Sequence, residues 1–406
     1  MPPVDACLAV RGLGLRLPGV ADAAELARVV DGAPLPPAPV RRFTAPDTDL
    51  APLDRRTHAP VPPRIPTAVA GRGLRAVPAE SLLALAAAAE AYPTPPDHPP
   101  DPWLATSPDD PVQTGPAAVL WASSSAGLAE YAALCVEAAT LDPGLTSPTL
   151  GPASAFNGPA ATVSIRLGLD GPNETTTGGT AAGLTALVEA TRLLADGEAA
   201  RALVGGSATV SRWTLPGLAD AFVAAEGAAC LAVSPCRDDE PGIRLGRFHR
   251  ITLDRSDLAA QCRALVRAAR PAGSGSAAGP SAGAPSVRRA SERDAAAGGT
   301  PAGTVGTIVS TVDTELAEAL AEVGGRPAWH LERSLGDFGA AGGLLAAACA
   351  VAYCASASAP TSLLALAIEP SGNAAILEVS SWGAPTSSSG WWGERSRPVG
   401  ASGSPT

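Results

Sequence analysis

Apolar and polar positions along the chain switch between two periods, near 2 and near 3.6. Residues 6–20, ACLAVRGLGLRLPGV, predict an apolar strand, then Gly12 and Gly14, then a Pro-Gly turn. Residues 21–34 space their apolar positions as a short amphipathic helix closed by glycine. PAESLLALAAAAEAY (78–92) is a strong helix. AAVLWASSS (117–125) is a buried strand running into small hydroxyl residues, and AGLAEYAALCVEAAT (126–140) a helix. Residues 153–173 give a second helix and a turn. NETTTGGTAAGLTALVEATRLLADGEAARALVGGSATVS (173–211) reads as strand, glycine-rich elbow, helix and second strand through Gly205, Gly206 and Ser207. Strands follow at 224–236 and 242–253, a helix at 257–270, a strand at 303–311, and helices at 315–323 and 336–354. Residues 363–382 pair as a closing hairpin.

Strands and helices thus alternate twice over, which predicts an α/β fold of two similar halves, 1–238 and 239–383. Two proline-rich excursions, 35–68 and 93–112, interrupt the first half. Residues 271–303 are low-complexity and predicted disordered, as is the Ser/Gly/Pro tail 384–406.

Composition removes several function classes. Net charge is −10, with no basic run, so a nucleic-acid interface is not expected. All 29 basic residues are arginine, which excludes a Walker loop and a lysine Schiff base. Gly12 and Gly14 lack the third glycine of a dinucleotide fingerprint, and Pro18-Gly19 breaks the helix it needs. The seven cysteines (7, 135, 230, 236, 262, 349, 354) form no CxxC pair, and the four histidines are scattered, so neither a metal site nor a cofactor is expected. The cysteines read as reduced, buried thiols, and the N-terminus shows no signal-peptide pattern; together these predict a cytoplasmic protein. GLLAAACAVAYCASASA (343–359) is too short and alanine-rich for a membrane span and predicts a buried core helix.

The elbow at 178–180 is the place where a strand–turn–helix layout presents a nucleophile, yet it holds Gly178, Gly179 and Thr180. A helix dipole contributes only about 0.3–2 kcal/mol, far too little to ionise an alcohol. Thr180 therefore needs a general base, and Asp337 is the one candidate the sequence offers.

In family order, AVRGLGLRLPG, SIRLGLDGPN, AAGLTAL, LVGGSATVS, AEGAACLAV, GDFGAAGGL and EPSGNAAILEV resemble the successive motifs of ketosynthases of the thiolase superfamily. The resemblance implies a thiolase-like fold in an α-β-α-β-α layering. It also implies acyl-thioester condensation by a cysteine and two histidines, beside a lysine. Here those positions fall on Thr180, on the neighbourhood of Thr311, on Asp337, and on or near Glu332. A ketosynthase-like chain with all these groups replaced resembles a chain length factor, the inactive partner of a type II polyketide ketosynthase. Members usually carry glutamine where this chain has Thr180, which sets aside a glutamine-dependent decarboxylase role and points towards reduced or polyene products.

The implied partners are an active ketosynthase, in a heterodimer, and an acyl carrier protein bearing a phosphopantetheine-bound chain. Leu128, Tyr131, Leu134 and Cys135 at helical spacing, with Phe156 on the next helix, would then bound the product tunnel. Gly178, Gly179 and Thr180 would lie at the interface. Arg166 and Arg212 would form ion pairs or meet the phosphopantetheine. Two other readings remain at this point: an acyl-transferring or decarboxylating enzyme using Thr180 or one of Ser123 to Ser125, and a carrier-protein-binding scaffold.

Overall fold

The computed structural model describes residues 7–35, 41–42, 57–92, 115–141, 143–237, 240–269, 304–322 and 327–382. The low-complexity segment 271–303, the tail 384–406, and the stretches 36–40, 43–56 and 93–114 lie outside them.

The first half runs β1 (Leu8–Arg16), α1 (Ala23–Val30), β2 (Arg41–Arg42), β3 (Thr57–Ala59), α2 (Ala79–Ala91), β4 (Ala117–Ala122), α3 (Leu128–Thr140) and α4 (Gly158–Leu167). It continues through β5 (Asn173–Thr176), α5 (Ala182–Ala195), β6 (Arg201–Ala208), β7 (Ala224–Ala225) and β8 (Gly227–Pro235). The second half is β9 (Gly242–Thr252), α6 (Leu258–Ala269), β10 (Thr304–Ser310), α7 (Thr314–Ala319), β11 (Ala328–His330), α8 (Gly342–Ser356), β12 (Ser362–Ile368) and β13 (Asn373–Trp382).

Ten strands form one sheet in the order β11-β10-β12-β13-β9-β1-β8-β6-β4-β5. Numbered within its own half, each set of five has the order 3-2-4-5-1. The directions match as well. β4 is parallel to β5 and β6, and β10 to β11 and β12. β8 runs antiparallel to β6 and β1, and β13 to β12 and β9. The expected duplication is thus written in the topology. The halves join where β1 meets β9, over the pairs Leu8–Leu245, Ala9–Arg244 and Val10–Ile243.

Helices fill three layers around these strands. α5 and α8 pack on each other in the middle, and each also touches strands of the opposite half. Thirteen of the fifteen residues of α8 are buried, so the apolar stretch is the core helix its sequence predicts. On the outside, α2 lies across β1, β6 and β8, and α6 lies on β13. α2 carries alanine on nearly every side because it is buried nearly all round.

Gly12 and Gly14 belong to β1 itself and do not end it. A Cβ on Gly12 would stand 1.9 Å from the Ala91 carbonyl oxygen, and one on Gly14 1.9 Å from that of Ala87. Glycine here lets helix α2 lie directly on the strand.

Three sequence expectations need correction. The excursion 35–68 is in part built into the fold: β3 pairs with β2 and β7, and Ala59 is buried. Cys7 and Cys236 are joined in a disulfide, so those two are not free thiols. Cys135 is exposed rather than buried, whereas Cys230, Cys262, Cys349 and Cys354 are buried. Spacing along the chain could not show that the start of β1 and the end of β8 are adjacent.

Candidate functional site

β5 ends at Thr176, and the chain turns through Gly178 and Gly179 into α5, leaving Thr180 just before the helix. Thr180 is 3% exposed and its Oγ1 donates to the Ile368 carbonyl, 3.0 Å away. Its own carbonyl accepts from Gly343 N at the start of α8 (2.8 Å). The elbow is thereby tied to β12 and α8 of the second half.

The second half brings its share to the same place. A Cβ on Gly342 would lie 2.6 Å from Ser310 Oγ, 3.4 Å from Glu332 Oε1 and 3.5 Å from Thr180 Cγ2, so these three side chains converge on one glycine. Glu332 accepts from Ser310 Oγ (2.5 Å) and from Thr311 N (3.0 Å). Burial pushes its acid up to about 8, with the nearby Asp337 charge adding to the shift and the two hydrogen bonds opposing it. Asp337 is buried, and its Oδ2 accepts from Ala219 N and its Oδ1 from Gly339 N, each at 2.8 Å. The four positions singled out by resemblance, Thr180, Thr311, Glu332 and Asp337, therefore do cluster at the junction of the halves.

Thr180, Asp337, Gly178 and Gly179 line a cavity of about 220 Å³, with Ser124, Ser125, Leu128, Thr209 and Trp213 in its wall. Among the described residues, Asp337 is the only charged one in that wall. A second carboxylate, Glu369, accepts from Gly179 N at 3.1 Å beside it. A carbanion forming beside Asp337 would meet a carboxyl group where condensation chemistry needs hydrogen-bond donors. Asp337 also faces its own backbone donors, and Thr180 faces a carbonyl that cannot take a proton. The pair has no base-to-nucleophile hydrogen bond of the kind a threonine nucleophile requires.

Of the proposed tunnel residues, only Leu128 lines this cavity. Tyr131 and Phe156 are each 54% exposed, Cys135 is exposed, and Leu134 is half-buried. Phe156 sits in the turn before α4, not on a helix. α3 has no buried residue among its thirteen, which is unusual for a helix this apolar. Arg166 donates to the Arg72 carbonyl (3.0 Å), and the Arg212 guanidinium lies 4.6 Å over the Trp213 ring.

Sequence reading missed Glu80. It is 3% exposed on α2, and its carboxylate accepts from Ser123 Oγ, Ser125 Oγ (2.6 Å), Ser207 Oγ (3.0 Å) and Thr209 Oγ1 (3.3 Å). Trp121 Nε1 in turn donates to Ser207 Oγ at 2.8 Å. Burial raises the Glu80 acid, and the four hydroxyl hydrogen bonds oppose that shift. The run Ser123–Ser125 after a buried strand was the visible signal, but its partner lies 43 or more residues away.

Residues 105–235 match the family model of the beta-ketoacyl synthase N-terminal domain. No curated protein sequence matches the chain. Among solved structures, the ishigamide ketosynthase/chain length factor superposes with a TM-score of 0.66 at 21% identity, over 93% of this chain and 99% of the other. The AntDE:AntF structure, a type II PKS acyl-carrier protein in complex with its ketosynthase bound to the hexaketide, gives 0.63 at 14% identity, covering 93% and 100%. A beta-ketoacyl synthase from Burkholderia phymatum STM815 gives 0.62 at 17%, covering 93% and 100%. The chain therefore carries a beta-ketoacyl synthase N-terminal domain at 105–235 and, across its described residues, the thiolase-like fold of the ketosynthases.

Proposed function

We propose that this chain is a non-catalytic ketosynthase-like subunit of the chain-length-factor kind, which pairs with an active ketosynthase and helps shape the space for the growing polyketide. The observation that carries the reading is the elbow. Thr180 spends its hydroxyl proton on the Ile368 carbonyl, and carboxyl groups stand at Asp337 and Glu332, where the resemblance puts histidine and lysine. Condensation needs a thiolate and donors for developing negative charge, and this cluster supplies neither.

A second observation supports the pairing. Tyr131, Val136, Leu141, Leu145, Phe156 and Ile165 are exposed, from 45% to 78%, on α3, on α4 and on the segment between them. Among the described residues, β5 next to them is the last strand of the sheet. An apolar face of that kind beside an unpaired strand edge is what an obligate partner covers. On this reading the tunnel residues Tyr131, Leu134, Cys135 and Phe156 meet their cavity only once the partner is in place, and Gly178–Thr180 lie close to it.

Co-expression with the ketosynthase encoded beside it, then sizing and a condensation assay with carrier-bound malonyl groups, tests this. A one-to-one complex that condenses, with product length changed by Tyr131→Ala or Phe156→Ala, is the expected result. Condensation by this chain alone, lost in Thr180→Val, would overturn it.

A further inference from the structure

Two hydroxyls in the cavity wall differ in where their protons point. Thr180 donates to a backbone carbonyl, which cannot accept the proton outright. Ser125 donates to the Glu80 carboxylate at 2.6 Å, which can. Ser123 and Ser207 also donate to Glu80, but they are 2% and 1% exposed and sealed from the cavity. Ser124 lines the cavity without a carboxylate; its Oγ accepts from Ala340 N at 3.4 Å. Thr209 lines it too, at a longer 3.3 Å from Glu80. Ser125 alone among these residues combines a close carboxylate with a place in the cavity wall.

We propose that Ser125 is an acyl acceptor, with Glu80 as its base and a short acyl thioester as its acyl donor. The wall also holds Leu128, the first residue of α3, and the Gly178–Thr180 approach to α5. The start of α3 thus borders the space where a carbonyl oxygen would gain charge, and helix N-termini favour negative charge. Among the described residues no histidine lines the cavity to protonate a poor leaving group, so the donor must carry one that departs as an anion, and a thiol does. The cavity, of about 220 Å³, has room for a short acyl group.

In the step itself, the Ser125 Oγ–carbon bond forms and the carbon–sulfur bond breaks. The Ser125 proton passes to Glu80 and then to the departing thiolate, so Glu80 ends ionised and the product is an ester plus a free thiol. A buried, poorly solvated carboxylate is a stronger base than one in water, in keeping with the raised Glu80 acid. No carbanion is involved, so the missing condensation groups do not bear on it. The proposal is separate from subunit pairing, because it is measured on this chain without a partner.

The test is intact-mass and peptide-mapping analysis of the purified full chain incubated with acetyl-N-acetylcysteamine. The expected result is one added acetyl group on Ser125, absent in Ser125→Ala and kept in Thr180→Val. Glu80→Gln slows acylation about 10²-fold or more. No adduct, an adduct on another residue, or an unchanged adduct in Ser125→Ala would overturn the proposal. Should Glu80→Gln fail to fold, Ser125→Cys decides access. A thiol at 125 needs little help from a base, and an unlabelled Cys variant means that the cavity does not admit the thioester.

Discussion

Thr180 Oγ1 and the Ile368 carbonyl are 3.0 Å apart across the junction of the two halves, so the side chain at the elbow is a structural tie. Thr180→Val keeps the shape and leaves a buried carbonyl without its donor. The expected cost is about 1–3 kcal/mol, read as a lower denaturation midpoint. Condensation by the complex with a ketosynthase stays unchanged. A hundredfold loss of condensation with stability intact would mean that the hydroxyl does chemistry.

Glu332 links stability to pH. Its acid lies at about 8 in the fold against an ordinary 4.5. Between those values the unfolded chain gives up this proton while the folded chain keeps it, so stability falls as pH rises from about 4.5 to about 8 and then levels. Below 4.5 both states hold the proton and this contribution is complete. The total is on the order of a few kcal/mol. Glu332→Gln removes this component of the slope, measured as the difference in unfolding free energy between pH 5 and pH 8. An identical slope in the variant would refute the assignment.

Gly205 is fixed by Trp121, whose ring would lie 2.0 Å from an added Cβ. Trp121 is fully buried and cannot swing out. Gly205→Ala is expected to cost about 3 kcal/mol or more, seen as loss of soluble protein or a steep drop in midpoint. Ile165→Glu, at a residue 78% exposed, changes the chain's own stability by less than about 0.5 kcal/mol. The same substitution abolishes co-purification with the ketosynthase if that face is the interface.

The Cys7–Cys236 bond spans 229 residues. Closing so long a loop restricts the unfolded chain, and its removal is expected to cost up to about 5 kcal/mol. Chemical denaturation with and without a reductant, and of Cys7→Ser, measures this. Equal midpoints would show that the bond contributes nothing.

Much of the architecture was legible because it repeats locally. The alternation of periods placed α5, β6, α8 and the closing hairpin, and the order of motifs placed Thr180, Thr311, Glu332 and Asp337 at one junction. What stayed hidden depends on distance or on what a face meets. Glu80 sits in a helix apolar all round, where no periodicity marks one side as special. Tyr131 and Leu134 have helical spacing, but spacing cannot say whether α3 faces its own core or another molecule. The Cys7–Cys236 pairing needed the strand order.

The central helices set a timetable for synthesis. The first half is complete in sequence at Pro235, yet the surface of β1, β6 and β8 that α8 covers stays bare until Gly342 and the residues after it are made. That is a wait of 107 residues (342 − 235), about 5–20 s at ~5–20 residues per second. During it an alanine- and leucine-rich face is open to any other nascent chain. Slowed translation between these points should therefore favour aggregation, and supplying the second half in trans at that moment should relieve it.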